Sequence, residues 1–205
     1  MKNKKLLVIL LIVGCFVIGG AAILYNSLSG NVGHDTLHAA GSSPAEGSDS
    51  HTAASDGSDT SAGQEYPAPD FLMTDSDGNT VRLSDFEGKP VVLNFWASWC
   101  GPCKNEMPEF DKLYSEYGDE FHFLMVNLTD GSRETVAGAK EFIEEAGYGF
   151  PVYFDIDGEG ASEFSVYSIP VTYFIDARGN IAAYAQGSLD GEIIKQGMDM
   201  ISPAD

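Results

Sequence analysis

Two cysteines three residues apart, in Trp99-Cys100-Gly101-Pro102-Cys103, are the residues of this 205-residue chain best suited to chemistry. At that spacing on a helix the thiols lie about one turn apart, close enough to close a small disulfide ring. A thiolate, not a thiol, attacks disulfides, and a helix N-terminus favours the thiolate through its unpaired N–H groups and dipole. Gly101 and Pro102 suit a first helical turn, where the N–H that proline lacks would have no helical partner. The pair predicts thiol–disulfide exchange, with Cys100 as nucleophile and Cys103 as resolving thiol.

A Cys-x-x-Cys pair also occurs as half of a zinc site or as a structural staple. Zinc needs two further ligands at suitable spacing. Cys15, His34, His38, His51 and His122 offer no second pair beside a strand or turn of the globular part. No metal is therefore expected, and no cofactor other than the Cys100–Cys103 disulfide itself.

Positioning the thiols takes a strand and a helix. Val91-Val92-Leu93-Asn94-Phe95-Trp96 is apolar and β-prone and reads as a buried central strand. A helix from Cys100 to about Tyr117 follows, in which Pro108 removes the bond to the Lys104 carbonyl. Asp75 to Asn79 reads as a turn between two short strands, the second ending near Leu83. Further strands are expected at Phe121 to Leu128, Phe150 to Phe154, Val171 to Asp176 and Ile181 to Gln186. Helices are expected from about Arg133 to Ala146, over one or two turns at Ala161 to Tyr167, and from Asp190 to Ile201. Strands alternating with helices and then a hairpin imply an α/β domain with a mixed central sheet covered on both faces.

The N-terminal third suggests the compartment. Lys2, Lys4 and Lys5 precede an uncharged apolar run from Leu6 to Tyr25. Twenty helical residues at about 1.5 Å each cross the roughly 30 Å core of a bilayer. Positive charge ahead of the run keeps the N-terminus cytoplasmic and sends the remainder across. An uncleaved anchor over residues 1–25 is the expectation, in the cell membrane, single-pass, with the C-terminal domain extracytoplasmic. The alternatives are a lipoprotein bearing its lipid on Cys15, after Ile12-Val13-Gly14, and a secreted form cut near Ala22. Residues 26–66 are rich in Ser, Gly, Ala, Asp and Thr and read as a disordered linker reaching on the order of 35 Å. His34 and His38 in it are expected to be solvated. Residues 67–205 suit one domain. The net charge of −20 argues against nucleic acid as a partner.

Element order, spacing and active-site segment resemble a thioredoxin fold, and in particular the membrane-tethered TlpA/ResA-like thiol–disulfide oxidoreductases. The resemblance spans about Pro67 to Met200. It is carried by Pro69-Asp70-Phe71 at the start of the domain, Leu93-Asn94-Phe95-Trp96-Ala97-Ser98-Trp99-Cys100-Gly101-Pro102-Cys103, and Ile169-Pro170-Val171-Thr172. It implies a cis peptide bond before Pro170, with Ile169 and Pro170 facing the thiols and open to a substrate strand. Trp99, Gly101 and Pro102 complete the implied substrate-binding surface, while Trp96 is expected in the core. It also implies an active-site glutamate at Glu106, one turn beyond Cys103, taking the Cys103 proton during resolution. A solvated helix acid is the alternative there, since Glu109 and Asp111 lie nearby. Asn94 stands where cytoplasmic thioredoxins carry a buried aspartate, which strengthens the case for Glu106. The implied partners are extracytoplasmic client proteins with disulfides and a membrane thiol-electron transporter that supplies electrons.

Two other functions fit this pattern less well. A peroxiredoxin-like thiol peroxidase would need Pro-x3-Thr/Ser-x2-Cys, but Leu93 and Ala97 fill its first two places. A non-enzymatic copper-binding thioredoxin-fold module would need Cys-x3-Cys and a later histidine, and none follows His122. Asp155-x-Asp157-x-Glu159-Gly160 opens like a calcium loop, yet its twelfth position is Val166, so a turn is expected.

Overall fold

The computed structural model describes residues 37–40 and 65–202. Within them the strands are β1 (His38–Ala39), β2 (Leu72–Thr74), β3 (Thr80–Arg82), β4 (Val91–Trp96), β5 (His122–Leu128), β6 (Val152–Asp155), β7 (Val171–Ile175) and β8 (Ile181–Gln186). The helices are α1 (Gly101–Tyr117), α2 (Val136–Ala146), α3 (Glu159–Glu163) and α4 (Gly191–Ile201), with a 3-10 turn at Leu83–Phe86. The strands form one sheet in the order β1-β8-β7-β4-β5-β6-β2-β3. β4 runs parallel to β5 and antiparallel to β7, so the strand leading into the thiols is central and paired on both sides.

Side-chain alternation along β4 divides the core. Val91, Leu93 and Phe95 pack on one face with Phe71, Leu124, Val126 and Phe164. Val92 and Trp96 pack on the other with Met107 and Phe110 of α1 and Ile194 and Met198 of α4. Asn94 shares this second face by the same alternation, a polar side chain among apolar ones. Gly197 of α4 lies so close over Phe174 that a Cβ there would overlap the ring.

Element boundaries follow local hydrogen bonding. α2 begins at Val136 rather than Arg133. The Asp130 carboxylate accepts the Ser132 and Glu134 N–H groups and Thr135 caps the helix through Gly138 N, which holds 130–134 in a loop. β6 begins after Pro151, which has no N–H for a ladder. Asp155 accepts the N–H groups of Gly160 and Ala161, so the calcium-like run is a helix cap. α1 continues through Pro108 to Tyr117.

The stretch expected as linker is in part structured. His38–Ala39 pairs antiparallel with β8, the His38 ring stacks on Tyr184 at 5.2 Å, and Ala40 N–H donates to Ala182 O at 3.0 Å. Ile181 N–H donates to Tyr66 O at 2.8 Å on the same strand. An unpaired β8 edge would expose a row of backbone donors and acceptors, which these segments satisfy. The expected anchor, Cys15, His34, His51 and the rest of the expected linker lie outside the described residues. Among the described residues, no helix is long and apolar enough to cross a membrane.

Candidate active site

β4 ends at Trp96, and a short turn carries the chain to α1. Ala97 O accepts the Cys100 N–H at 3.1 Å, which places Cys100 at the N-cap of α1 with extended backbone. Cys100 and Cys103 are joined by a disulfide with their Cα atoms 5.3 Å apart. The Cys103 N–H donates to Cys100 Sγ at 3.2 Å. Gly101 and Pro102 form the first turn, as their sequence positions suggest. An N–H aimed at sulfur and the positive end of a 17-residue helix both favour charge on Cys100 once the disulfide opens.

Three further segments converge here. The Ile169–Pro170 bond is cis, and Ile169 O lies 3.8 Å from Cys100 Sγ. Trp99 is 42% exposed, and the Arg133 guanidinium lies on its ring at 3.6 Å from the centroid. Cys103 is fully buried, whereas Cys100 keeps a slight exposure of 4%. That asymmetry leaves Cys100 as the sulfur an incoming disulfide can reach.

Glu106, one turn beyond Cys103 on α1, is only 1% exposed, which removes the solvated alternative. Its Oε1 accepts from Asn94 Nδ2 at 2.8 Å and its Oε2 from the Leu189 N–H at 2.9 Å. Asn94 also donates to Thr172 Oγ1 at 3.0 Å, tying the carboxyl to the strand that follows Pro170. Burial pushes the Glu106 carboxyl up to about 8, with the Leu189 and Asn94 hydrogen bonds pulling the other way. A group titrating there can both accept and return a proton near neutrality.

The structure therefore gathers Trp99, Cys100, Gly101, Pro102, Cys103, Glu106, Ile169 and Pro170 at one end of β4. It sets His122 apart: that residue pairs with Val91 at the far end of the same strand, its ring edge-on to Phe86. Leu93 and Ala97 are completely buried, so neither place offers a polar group for peroxide. Sequence reasoning missed Thr172 and Leu189 as partners of the site, and the loop bearing Arg133 and Glu134. The only local sign of that loop was the turn-forming Thr129-Asp130-Gly131-Ser132 run.

Comparison with known proteins follows the same segments. The AhpC/TSA family matches residues 65–184. A thiol-disulfide oxidoreductase ResA of Oceanobacillus iheyensis is 39% identical over 140 residues, covering 66% of this chain and 71% of that protein. A ResA of Geobacillus thermodenitrificans is 36% identical over 137 residues, covering 66% of this chain and 76% of that protein. Among solved structures, the pneumococcal exposed lipoprotein thioredoxin Etrx1 of Streptococcus pneumoniae superposes with a TM-score of 0.57 at 34% identity, over 64% of this chain and 98% of that one.

Proposed function

Because the chain belongs to the AhpC/TSA family, as a ResA-like thiol–disulfide oxidoreductase of thioredoxin-like fold, we propose that it reduces protein disulfides outside the cytoplasm, tethered to the membrane by its N-terminal segment. The observation that carries the reading is Cys100 at the mouth of α1, beside the Ile169 carbonyl and above a buried Cys103 and Glu106.

The Cys100 thiolate attacks one sulfur of a client disulfide. A Cys100–client mixed disulfide forms, and the other client sulfur leaves as a thiolate that takes up a proton. Cys103 then passes its proton to the Glu106 carboxylate and attacks Cys100 Sγ. The second client thiol is released and the Cys100–Cys103 disulfide remains, the client having gained two electrons and two protons. Non-helical backbone at Ile169, ahead of the cis bond to Pro170, offers main-chain groups to a client strand, and Trp99 with Arg133 forms the exposed wall beside it. The Gly-Pro dipeptide between the cysteines resembles that of reducing thioredoxins. Electrons to restore the dithiol would come through a membrane thiol transporter.

Sequence supports the location: the lysines before an apolar run of bilayer length. A lipid on Cys15 or a secreted form would leave the domain in the same compartment. Peroxide chemistry is disfavoured by the buried Leu93 and Ala97.

The deciding measurement is the reduction potential of the Cys100–Cys103 pair in the full-length protein. A value near about −270 mV fits a reductant, and one near about −120 mV overturns that direction. Cys103→Ala should trap clients as mixed disulfides on Cys100. Full disulfide reductase activity in Cys100→Ser would sink the assignment.

A further inference from the structure

Glu134 is a buried carboxylate that the exchange scheme does not use. It stands in the loop between β5 and α2. Its Oε1 accepts from the Ser98 N–H at 2.9 Å and from Asn127 Nδ2 at 2.7 Å, and its Oε2 from the Ser98 hydroxyl at 2.7 Å. The Asn127 amide is oriented by its own Oδ1, which accepts from Thr129 Oγ1 at 2.8 Å. A backbone N–H and an amide NH2 can only donate, so Glu134 Oε1 serves as an acceptor twice over.

The position of this charge matters. Ser98 lies two residues before Cys100, and the adjoining Arg133 stacks on Trp99, so one loop holds both residues that lead into the nucleophile. Around Glu134, its own loop brings Asp130, whose carboxylate accepts the Glu134 N–H at 2.9 Å, and Arg133. The redox turn and β5 bring neutral Ser98 and Asn127. Beyond Ser98, Cys100 is the N-cap of α1, whose own charged side chains are engaged elsewhere: the Lys104 ammonium lies over Phe142, and Glu106 is held by Asn94 and Leu189.

We propose that Glu134 is a positioning residue for the exchange reaction: it fixes the redox turn through Ser98, and its charge opposes the Cys100 thiolate, making the pair more strongly reducing. The couple is a disulfide plus two electrons and two protons against two thiols. Where Cys100 titrates, the dithiol gains stability by releasing a proton. A nearby carboxylate reduces that gain and leaves the neutral disulfide unaffected, so the potential falls. The proposal deepens the reductant reading and rests on it for its biological sense.

Glu134→Gln removes the charge with little change of shape. In the full-length protein, the pH dependence of Cys100 alkylation and the equilibrium with a glutathione buffer are the measurements. The expected result is a lower Cys100 midpoint and an exchange constant shifted up to about tenfold toward the dithiol, about 30 mV less negative. Glu134→Asp, which keeps the charge on a shorter stem, should retain the parental potential even where its melting temperature falls. A parental midpoint and potential in Glu134→Gln, or shifts of the opposite sign, overturn the proposal whatever happens to stability. Should Glu134→Gln fail to fold, Ser98→Ala decides. It removes a donor from the carboxylate without removing the charge, so the Cys100 midpoint should rise and the potential become more negative, and no movement overturns the idea. An oxidising parental potential would end the reductant reading alone, since the shift on Glu134→Gln is judged against the parent.

Discussion

Asn94 donates one amide hydrogen to Glu106 Oε1 at 2.8 Å and another to Thr172 Oγ1 at 3.0 Å, so one side chain of β4 links the buried carboxyl of α1 to the strand after Pro170. The carboxyl proposed to accept the proton and the backbone proposed to face a client are thereby tied to the same residue. An aspartate at position 94 could not make both bonds: ionised it has no hydrogen to give, and protonated it has only one.

Resolution of the mixed disulfide should quicken as pH rises through about 8, where Glu106 becomes able to accept a proton. Glu106→Gln should slow that step on the order of a hundredfold, the usual weight of a positioned base, and flatten its pH profile. Stopped-flow resolution of a preformed Cys100 mixed disulfide reads both. A profile unchanged in the variant would remove Glu106 from the proton path.

The same carboxyl makes stability depend on pH. Its value is about 8 in the folded protein against 4.5 as the reference, so the folded state holds a proton that the unfolded chain has lost between those values. Its contribution is complete below 4.5 and declines as pH rises to 8, with a slope of at most about 1.4 kcal/mol per pH unit. Denaturant melts of the oxidised protein from pH 5 to 8 should show this decline, and Glu106→Gln should lack much of it.

Asn94→Asp would set two buried carboxyls against one another and remove both donors. The pair would hold a shared proton and titrate as a unit, with one member still protonated above neutrality. The variant should be closest to the parent in stability near pH 5 and fall behind by about 1–3 kcal/mol at pH 8, the penalty of a buried polar group left without its partner. Equal losses at both pH values would count against the coupling.

Gly197→Ala tests how closely α4 is seated. Helix propensity alone favours alanine by about 1 kcal/mol. The added methyl would overlap the Phe174 ring, however, and overpacking of this kind costs about 1–3 kcal/mol. Net destabilisation in thermal melts is therefore expected, together with a weaker hold of the Leu189 N–H on Glu106, since Leu189 immediately precedes the Asp190 cap of α4.

What could be read in the sequence was local. Val91–Trp96, the Cys100–Cys103 turn and α1 announce themselves within a dozen residues through an apolar run, a proline in the first turn and a spacing of three. Glu106 was placed on the correct helix face by that spacing, but its burial depends on Leu189, 83 residues away, and on Asn94, whose other partner Thr172 lies 78 residues from it. Glu134 escaped because a loop of Asp, Gly, Ser and Arg resembles solvated chain. Its glutamate turns inward to meet Ser98, 36 residues earlier, and Asn127 at the end of β5. β1 escaped for a related reason, since two residues of Ser- and Ala-rich chain have little strand preference of their own and owe their conformation to the β8 edge.

That edge also shortens any leash on the domain. Ala40 and Tyr66 are both fastened to neighbouring residues of β8, so the 25 residues between them begin and end at nearly the same spot. Whatever path they follow, they add nothing to the distance over which the redox face can roam. The 41 residues expected as one linker, 26–66, are thus divided: Leu37 packs against the core, and only eleven of them precede it in the sequence.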